Sequence, residues 1–184
     1  MKRKIVLTSV LGAVVVVLLS VYWGNNQRNA PSKMNNQDIK QLVQDFSSGK
    51  QKAKSASITS NQLIVTRSGS RSVTYELPTN EFFLSIAPYV EKTHPCATHN
   101  LVSCRGEMVN EEFKVFIEDI EGNVLIDRSM KSQENGFIDL WLPRDKKYNV
   151  TVEQNGKIAK SEISTFDNDD TCITTMHLVD NKNV

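Results

Sequence analysis

From Glu81 to its end the chain reads as a series of short apolar or alternating segments separated by turn residues. FFLSIAPYV at 82–90 is apolar, and FKVFIEDI at 113–120 alternates before the tight turn Glu121-Gly122-Asn123. VLIDRSM, FIDLWL and KYNVTVE follow, and Gln154-Asn155-Gly156 is a strong hairpin signal. KIAKSEIST and TCITTMHLV close the series. Segments of this length and spacing build an antiparallel sandwich, because each strand offers one apolar face that another sheet must cover. Strand–helix alternation is missing, as are a P-loop, G-x-G-x-x-G and G-x-S-x-G, so nothing points to a nucleotide-binding or hydrolase fold.

The preceding stretch is different. Ile39, Leu42, Val43 and Phe46 recur at helical spacing after Asn36, a candidate cap, and Ser47-Ser48-Gly49 supplies a stop. Gln62–Arg67 and Ser72–Leu77 form a hairpin around Ser68-Gly69-Ser70, ended by Pro78. The expected class is α+β, mainly β. Residues 35–80 form a small helix-plus-hairpin unit, and 81–184 a β-sandwich-like domain. Residues 25–34 read as a linker and 1–24 as a membrane anchor or signal peptide. The uncharged run 5–23 follows Lys2-Arg3-Lys4 and would rise about 28 Å as a helix, close to the ~30 Å of a bilayer core. It ends in Tyr22-Trp23 with no Ala-x-Ala site. Either reading places the folded part in an oxidising, extracytoplasmic space. The chain carries 22 basic and 21 acidic side chains, and three of the basic ones lie in that N-terminal cluster, so no basic face for nucleic acid remains.

Chemistry concentrates in His94-Pro95-Cys96-Ala97-Thr98-His99-Asn100-Leu101-Val102-Ser103-Cys104, two cysteines and two of the three histidines in eleven residues. Pro95 argues for an irregular loop there. The third cysteine, Cys172, follows the turn Asp167-Asn168-Asp169-Asp170 and so sits near a sheet end, where loops also gather. Cys172, Thr174 and Met176 would share one strand face. Thiolate is polarizable and selects Cu(I), Zn(II) or iron–sulfur clusters: three sulfurs suit trigonal Cu(I), and three sulfurs with one histidine suit Zn(II). Two thiols can also supply two electrons on closing as a disulfide. The alternative is a structural Cys96–Cys104 disulfide with Cys172 as a small buried hydrophobe, in a membrane-tethered interaction module. A thiol–disulfide exchanger would show C-x-x-C in a βαβ setting, which is absent.

Other residues carry weaker signals. His94 and His99 are the spare ligands. Met176 reads as core and His177 as a satisfied surface histidine. Arg105-Gly106-Glu107 reads as a turn with local charges, and Asp167, Asp169 and Asp170 as a solvated acidic turn. No Ser/His/Asp set or carboxylate pair stands out, and no enzyme activity beyond stoichiometric thiol chemistry is expected.

His94-Pro95-Cys96, Cys104-Arg105-Gly106-Glu107, the stretch from Gly136 to Arg144, and Thr171-Cys172-Ile173-Thr174-Thr175-Met176 together resemble the CueP family of bacterial periplasmic copper-binding proteins. The resemblance spans roughly Asn35 to Val179. It implies copper ligation by Cys96, Cys104 and Cys172, copper resistance, reduction of Cu(II) to Cu(I), and delivery to a periplasmic Cu,Zn superoxide dismutase. It also implies two small domains, homodimerisation, and zinc at the same thiols in some members. Many members carry a plain signal peptide or lipobox, so the anchor-like start is a departure.

Overall fold

A computed structural model describes residues 34–69 and 71–183. The proposed anchor or signal segment and most of the linker lie outside the described residues. Among the described residues, no helix is long and apolar enough to cross a membrane.

The fold is α+β and mainly β. Helix α1 spans Asn36–Ser47 and buries Ile39, Val43 and Phe46, the face expected from the spacing. Its cap is Asn35 rather than Asn36. Asn35 has extended backbone (ψ 159°), and its Oδ1 accepts from the Asp38 N–H at 2.9 Å. Gly49 ends the helix at φ +72°, where a side chain would be strained. The helix covers a sheet of order β3-β2-β1-β5, built from β1 (Ser55–Ile58), β2 (Gln62–Thr66), β3 (Ser72–Glu76) and β5 (His99–Asn100). β1 lies in what the sequence shows only as a Lys/Ser stretch. It has four residues and just two apolar positions, Ala56 and Ile58, both buried.

A second sheet runs β12-β10-β9-β6-β7. It contains β6 (Glu112–Asp119), β7 (Val124–Lys131), β9 (Lys147–Gln154), β10 (Lys157–Ser164) and β12 (Val179–Asp180). The β9–β10 hairpin turns on Asn155 and Gly156 at φ 51° and 77°, as the Asn-Gly signal expects. Facing this sheet is a third one, β11-β4-β8, formed by β4 (Glu81–Ile86), β8 (Ile138–Pro143) and β11 (Cys172–Ile173). Side-chain alternation makes β4 the shared wall of two cores. Phe82, Leu84 and Ile86 join Ile138, Leu140 and Leu142 against the five-stranded sheet. Phe83 points the other way, into the cluster under α1.

The terminal segment differs from a long antiparallel strand. Before β12, only Cys172 and Ile173 form regular strand, and they pair with β4 in parallel, Cys172 opposite Ser85. The alternation nevertheless persists in burial. Cys172, Thr174, Met176 and Leu178 are buried, whereas Thr175 and His177 are exposed. Met176 is core, as expected.

The β6–β7 turn depends on Asp119. Its carboxylate accepts from the N–H groups of Glu121 and Asn123, from Asn123 Nδ2 and, at 3.4 Å, from Lys146 Nζ. The Asn123 hydrogen bonds foremost, with help from Lys146, hold its carboxyl down to about 2. The native state therefore favours the ionised form. The resulting stability is complete above the ordinary carboxylate range near 4 and is lost as pH falls through about 2. Asp119→Asn is expected to flatten the fall of Tm between about pH 4 and pH 2 relative to the parent protein. Parallel acid limbs in the two proteins would contradict this account of the turn.

Candidate metal centre

The three-stranded sheet sets the site through register. Cys172 on β11 stands opposite Ser85 on β4, and Ser85 stands opposite Asp139 on β8. β5 brings His99 over this line. It pairs with β1, placing His99 opposite Ile58, while Thr171 Oγ1 accepts from the His99 N–H and donates to the Ile58 carbonyl. His99 is fully buried, with its ring 4.4 Å from that of Phe137 and 6.2 Å from that of Phe83.

Cys104 reaches the site on a tight turn organised by Asn100. The Asn100 side-chain oxygen accepts from the Val102 and Ser103 N–H groups, and its Nδ2 donates to Ser55 and Ser57. The Asn100 N–H donates to Cys104 Sγ at 3.3 Å. Beyond Cys104, two glycines cross. A Cβ on Gly106 would lie 2.5 Å from the Gly136 carbonyl oxygen, and a Cβ on Gly136 (φ +80°) would lie 2.6 Å from that of Gly106. The Gly106 N–H donates to the Asn135 carbonyl at 2.7 Å, which pins the cysteine turn beside Phe137. Cys96 and His94 lie on an irregular segment, as Pro95 suggested. Glu107 holds the start of that segment: its carboxylate accepts the successive N–H groups of Val90, Glu91 and Lys92 at 2.9–3.3 Å. These bonds, the one from Lys92 first, keep its carboxyl below the usual range.

All three cysteines are free thiols. Their donor atoms form two overlapping sets, each within 4.8 Å: a half-exposed outer set of His94, Cys96 and Cys104, and an inner set of His99, Cys104 and Cys172. Cys104 belongs to both. Cys96 Sγ is 3.8 Å from Cys104 Sγ, and His99 Nδ1 is 3.4 Å from Cys172 Sγ. Cys104 is the thiolate of the group. The hydrogen bond from Cys172 foremost, aided by His99 and the Asn100 N–H, holds it down to about 3. Cys172, which gives that hydrogen bond and is buried, is pushed far up, and burial raises Cys96 as well.

The remaining residues singled out in the sequence lie elsewhere in the bonding scheme. His177 stacks on Tyr89 at 4.9 Å, with Nε2 3.1 Å from the Val90 carbonyl oxygen. Asp167 pairs with Arg144, and Asp169 accepts from the Phe166 N–H. None of them belongs to the two donor sets. Asn100, Ser85, Asp139 and the Glu107 clamp escaped the sequence reading, because their roles arise from turn geometry and strand register.

The profile of the CueP family, described as periplasmic copper-binding protein CueP, matches residues 38–177. The chain belongs to the CueP family. A crystal structure of S.CueP is 40% identical to this CueP-family chain, with a TM-score of 0.72 over 77% of this chain and 88% of that one. No curated protein sequence matches. The donors fit the family's cargo: soft sulfur with imidazole in a partly buried cleft suits copper, whereas hard cations take oxygen.

The glycine crossing gives a direct test. Gly136→Ala is expected to cost about 1–3 kcal/mol, from both the positive φ and the backbone clash. It should also weaken Cu(I) binding, because it displaces the Cys104 turn. Thermal melts and Cu(I) competition would check this; an unchanged Tm would contradict the close approach.

Proposed function

We propose that this chain is an extracytoplasmic copper handler that holds Cu(I) through Cys96, Cys104 and Cys172, reduces Cu(II), and passes Cu(I) on. The position of Cys104 in both donor sets carries the reading, in a chain of a copper-binding family. His99 and Cys172 of the inner set are buried and backed by sheet. Cys96 sits on irregular chain at the solvent side, so it is the ligand that closes on the ion after entry. Three thiolates then form the trigonal environment Cu(I) prefers.

Reduction uses the same thiols. The Cys96 thiol and the Cys104 thiolate join in one S–S bond and release two electrons, two Cu(II) ions each take one, and the Cys96 proton leaves to solvent. The 3.8 Å separation of these sulfurs and the short loop between them favour this pairing over one with Cys172. Cys172 then remains as the soft donor, so retention weakens and release is favoured. The family resemblance points to a periplasmic Cu,Zn superoxide dismutase as acceptor and to a homodimer as the working form, with residues 5–23 holding or leading the chain across the cytoplasmic membrane. Zinc is a second reading of the same thiols, favoured by the imidazole of His99 beside two of them.

Each single Cys→Ser change is expected to lower Cu(I) affinity more than tenfold, about 1.4 kcal/mol, with Cys104→Ser the most severe. Cys172→Ser binding Cu(I) as tightly as the parent would sink the three-thiol site. Reduced protein mixed with Cu(II) without oxygen should yield Cu(I) to a chelating dye and a Cys96–Cys104 disulfide by mass spectrometry. No Cu(I), or a dominant disulfide to Cys172, would count against the redox step.

A further inference from the structure

Behind the thiols runs a line of polar side chains that copper binding by sulfur alone leaves without a task. His99 Nε2 is 3.4 Å from Ser85 Oγ, and Ser85 Oγ donates to Asp139 Oδ1 at 2.6 Å. Asp139 Oδ2 accepts from Gln133 Nε2 at 2.8 Å, and Gln133 Oε1 accepts from Gln44 Nε2 at 3.0 Å. We propose that Asp139, acting through Ser85, keeps a proton on His99 Nε2, so that His99 Nδ1 serves beside Cys104 and Cys172 as the nitrogen donor for borderline ions such as Zn(II) and Cu(II). The inference rests on the reading that Cys104 and Cys172 ligate metal.

The argument is one of hydrogen counting. A serine hydroxyl has a single proton. Ser85 gives it to the carboxylate in a short, charge-assisted bond, so it offers His99 only a lone pair. Nε2 must then be the donor. The carboxylate cannot readily turn away, because its other oxygen holds the Gln133 amide, whose orientation is fixed in turn by Gln44. The imidazole cannot turn either. It is fully buried, Phe137 packs against it, and its backbone N–H is tied to Thr171. With Nε2 committed to Ser85, the only ring nitrogen that can ligate is Nδ1, the atom already facing the sulfurs. Metal-binding histidines are regularly aimed by such outer partners, and losing one costs about 10–100-fold in affinity. Imidazole matters most for borderline ions, while Cu(I) is satisfied by thiolate. Asp139 and Ser85 are therefore positioning residues that widen the range of metals the site accepts.

The test uses the full-length protein and two readouts. Long-range 1H–15N spectra of the 15N-labelled parent, recorded with and without Zn(II), should show Nε2 protonated throughout and Nδ1 shifted on metal addition. Chelator competition should then show Zn(II) affinity falling about tenfold or more in Ser85→Ala and Asp139→Asn. Cu(I) affinity should change by less than about threefold in the same variants. An Nδ1 signal unmoved by Zn(II), an unprotonated Nε2, or equal losses for Zn(II) and Cu(I) would overturn the proposal. The spectrum of the parent decides the matter even if the variants fold poorly. A parent that does not bind Cu(I) would defeat the copper reading alone, because the Zn(II) spectrum stands independently.

Discussion

The site exists because three short strands keep one register. Cys172, Ser85 and Asp139 lie side by side across β11-β4-β8. Since side chains alternate with a period of two, a slip of one residue in either pairing would send one of these groups into the apolar core and bring a Leu or Ile into the site. β4 is the element that prevents such a slip. It buries Phe82, Leu84 and Ile86 on one face and Phe83 on the other, so either face would lose its fit on slipping. A fully buried Phe contributes about 1.5–3 kcal/mol, which makes register far more costly to change than any single polar contact at the site.

This arrangement gives the cleft two characters. Its inner wall is sheet, with Cys172 and His99 held by backbone pairing and by Thr171. Its outer wall is irregular chain carrying His94 and Cys96, tethered by the Glu107 clamp at one end and by Ala97 at the other, whose carbonyl accepts from the Thr171 and Cys172 N–H groups. Cys104 stands between them on a turn pinned by the glycine crossing. A sheet wall preorganises ligands, and the irregular wall is the side at which the proposed capture and release of an ion would take place. The charge state of the thiols follows the same division: the thiolate sits at the shared position, where it receives hydrogen bonds, and its buried neighbour keeps a proton.

Much of this was legible in the sequence. The helix face Ile39–Val43–Phe46, the hairpin turns at Gly122 and Asn155-Gly156, and the mainly β character follow from periodicity and turn chemistry, which are local. Three cysteines with nearby histidines admit a soft-metal site on ligand chemistry, beside a structural disulfide, and it is the resemblance to the CueP family that favours the metal. β1 and β5 were not legible, because SASI and His99-Asn100 are too short and polar to signal strand; they are strands because each completes the other's sheet. Likewise, nothing local separates His94 from His99. His99 is buried because β5 carries it over β4 and against Phe137, and Ser85 meets Asp139 only through a pairing 54 residues apart in sequence. The parallel β4–β11 pair is equally long-range, and it is what brings Cys172 to Cys104 and His99.

X-ray absorption at the copper edge of the Cu(I)-loaded, reduced protein addresses the central claim without any substitution. If Cys96 closes onto the ion held by Cys104 and Cys172, copper should have three sulfur neighbours in a three-coordinate environment. A two-coordinate ion, or a shell dominated by nitrogen or oxygen, would contradict the account.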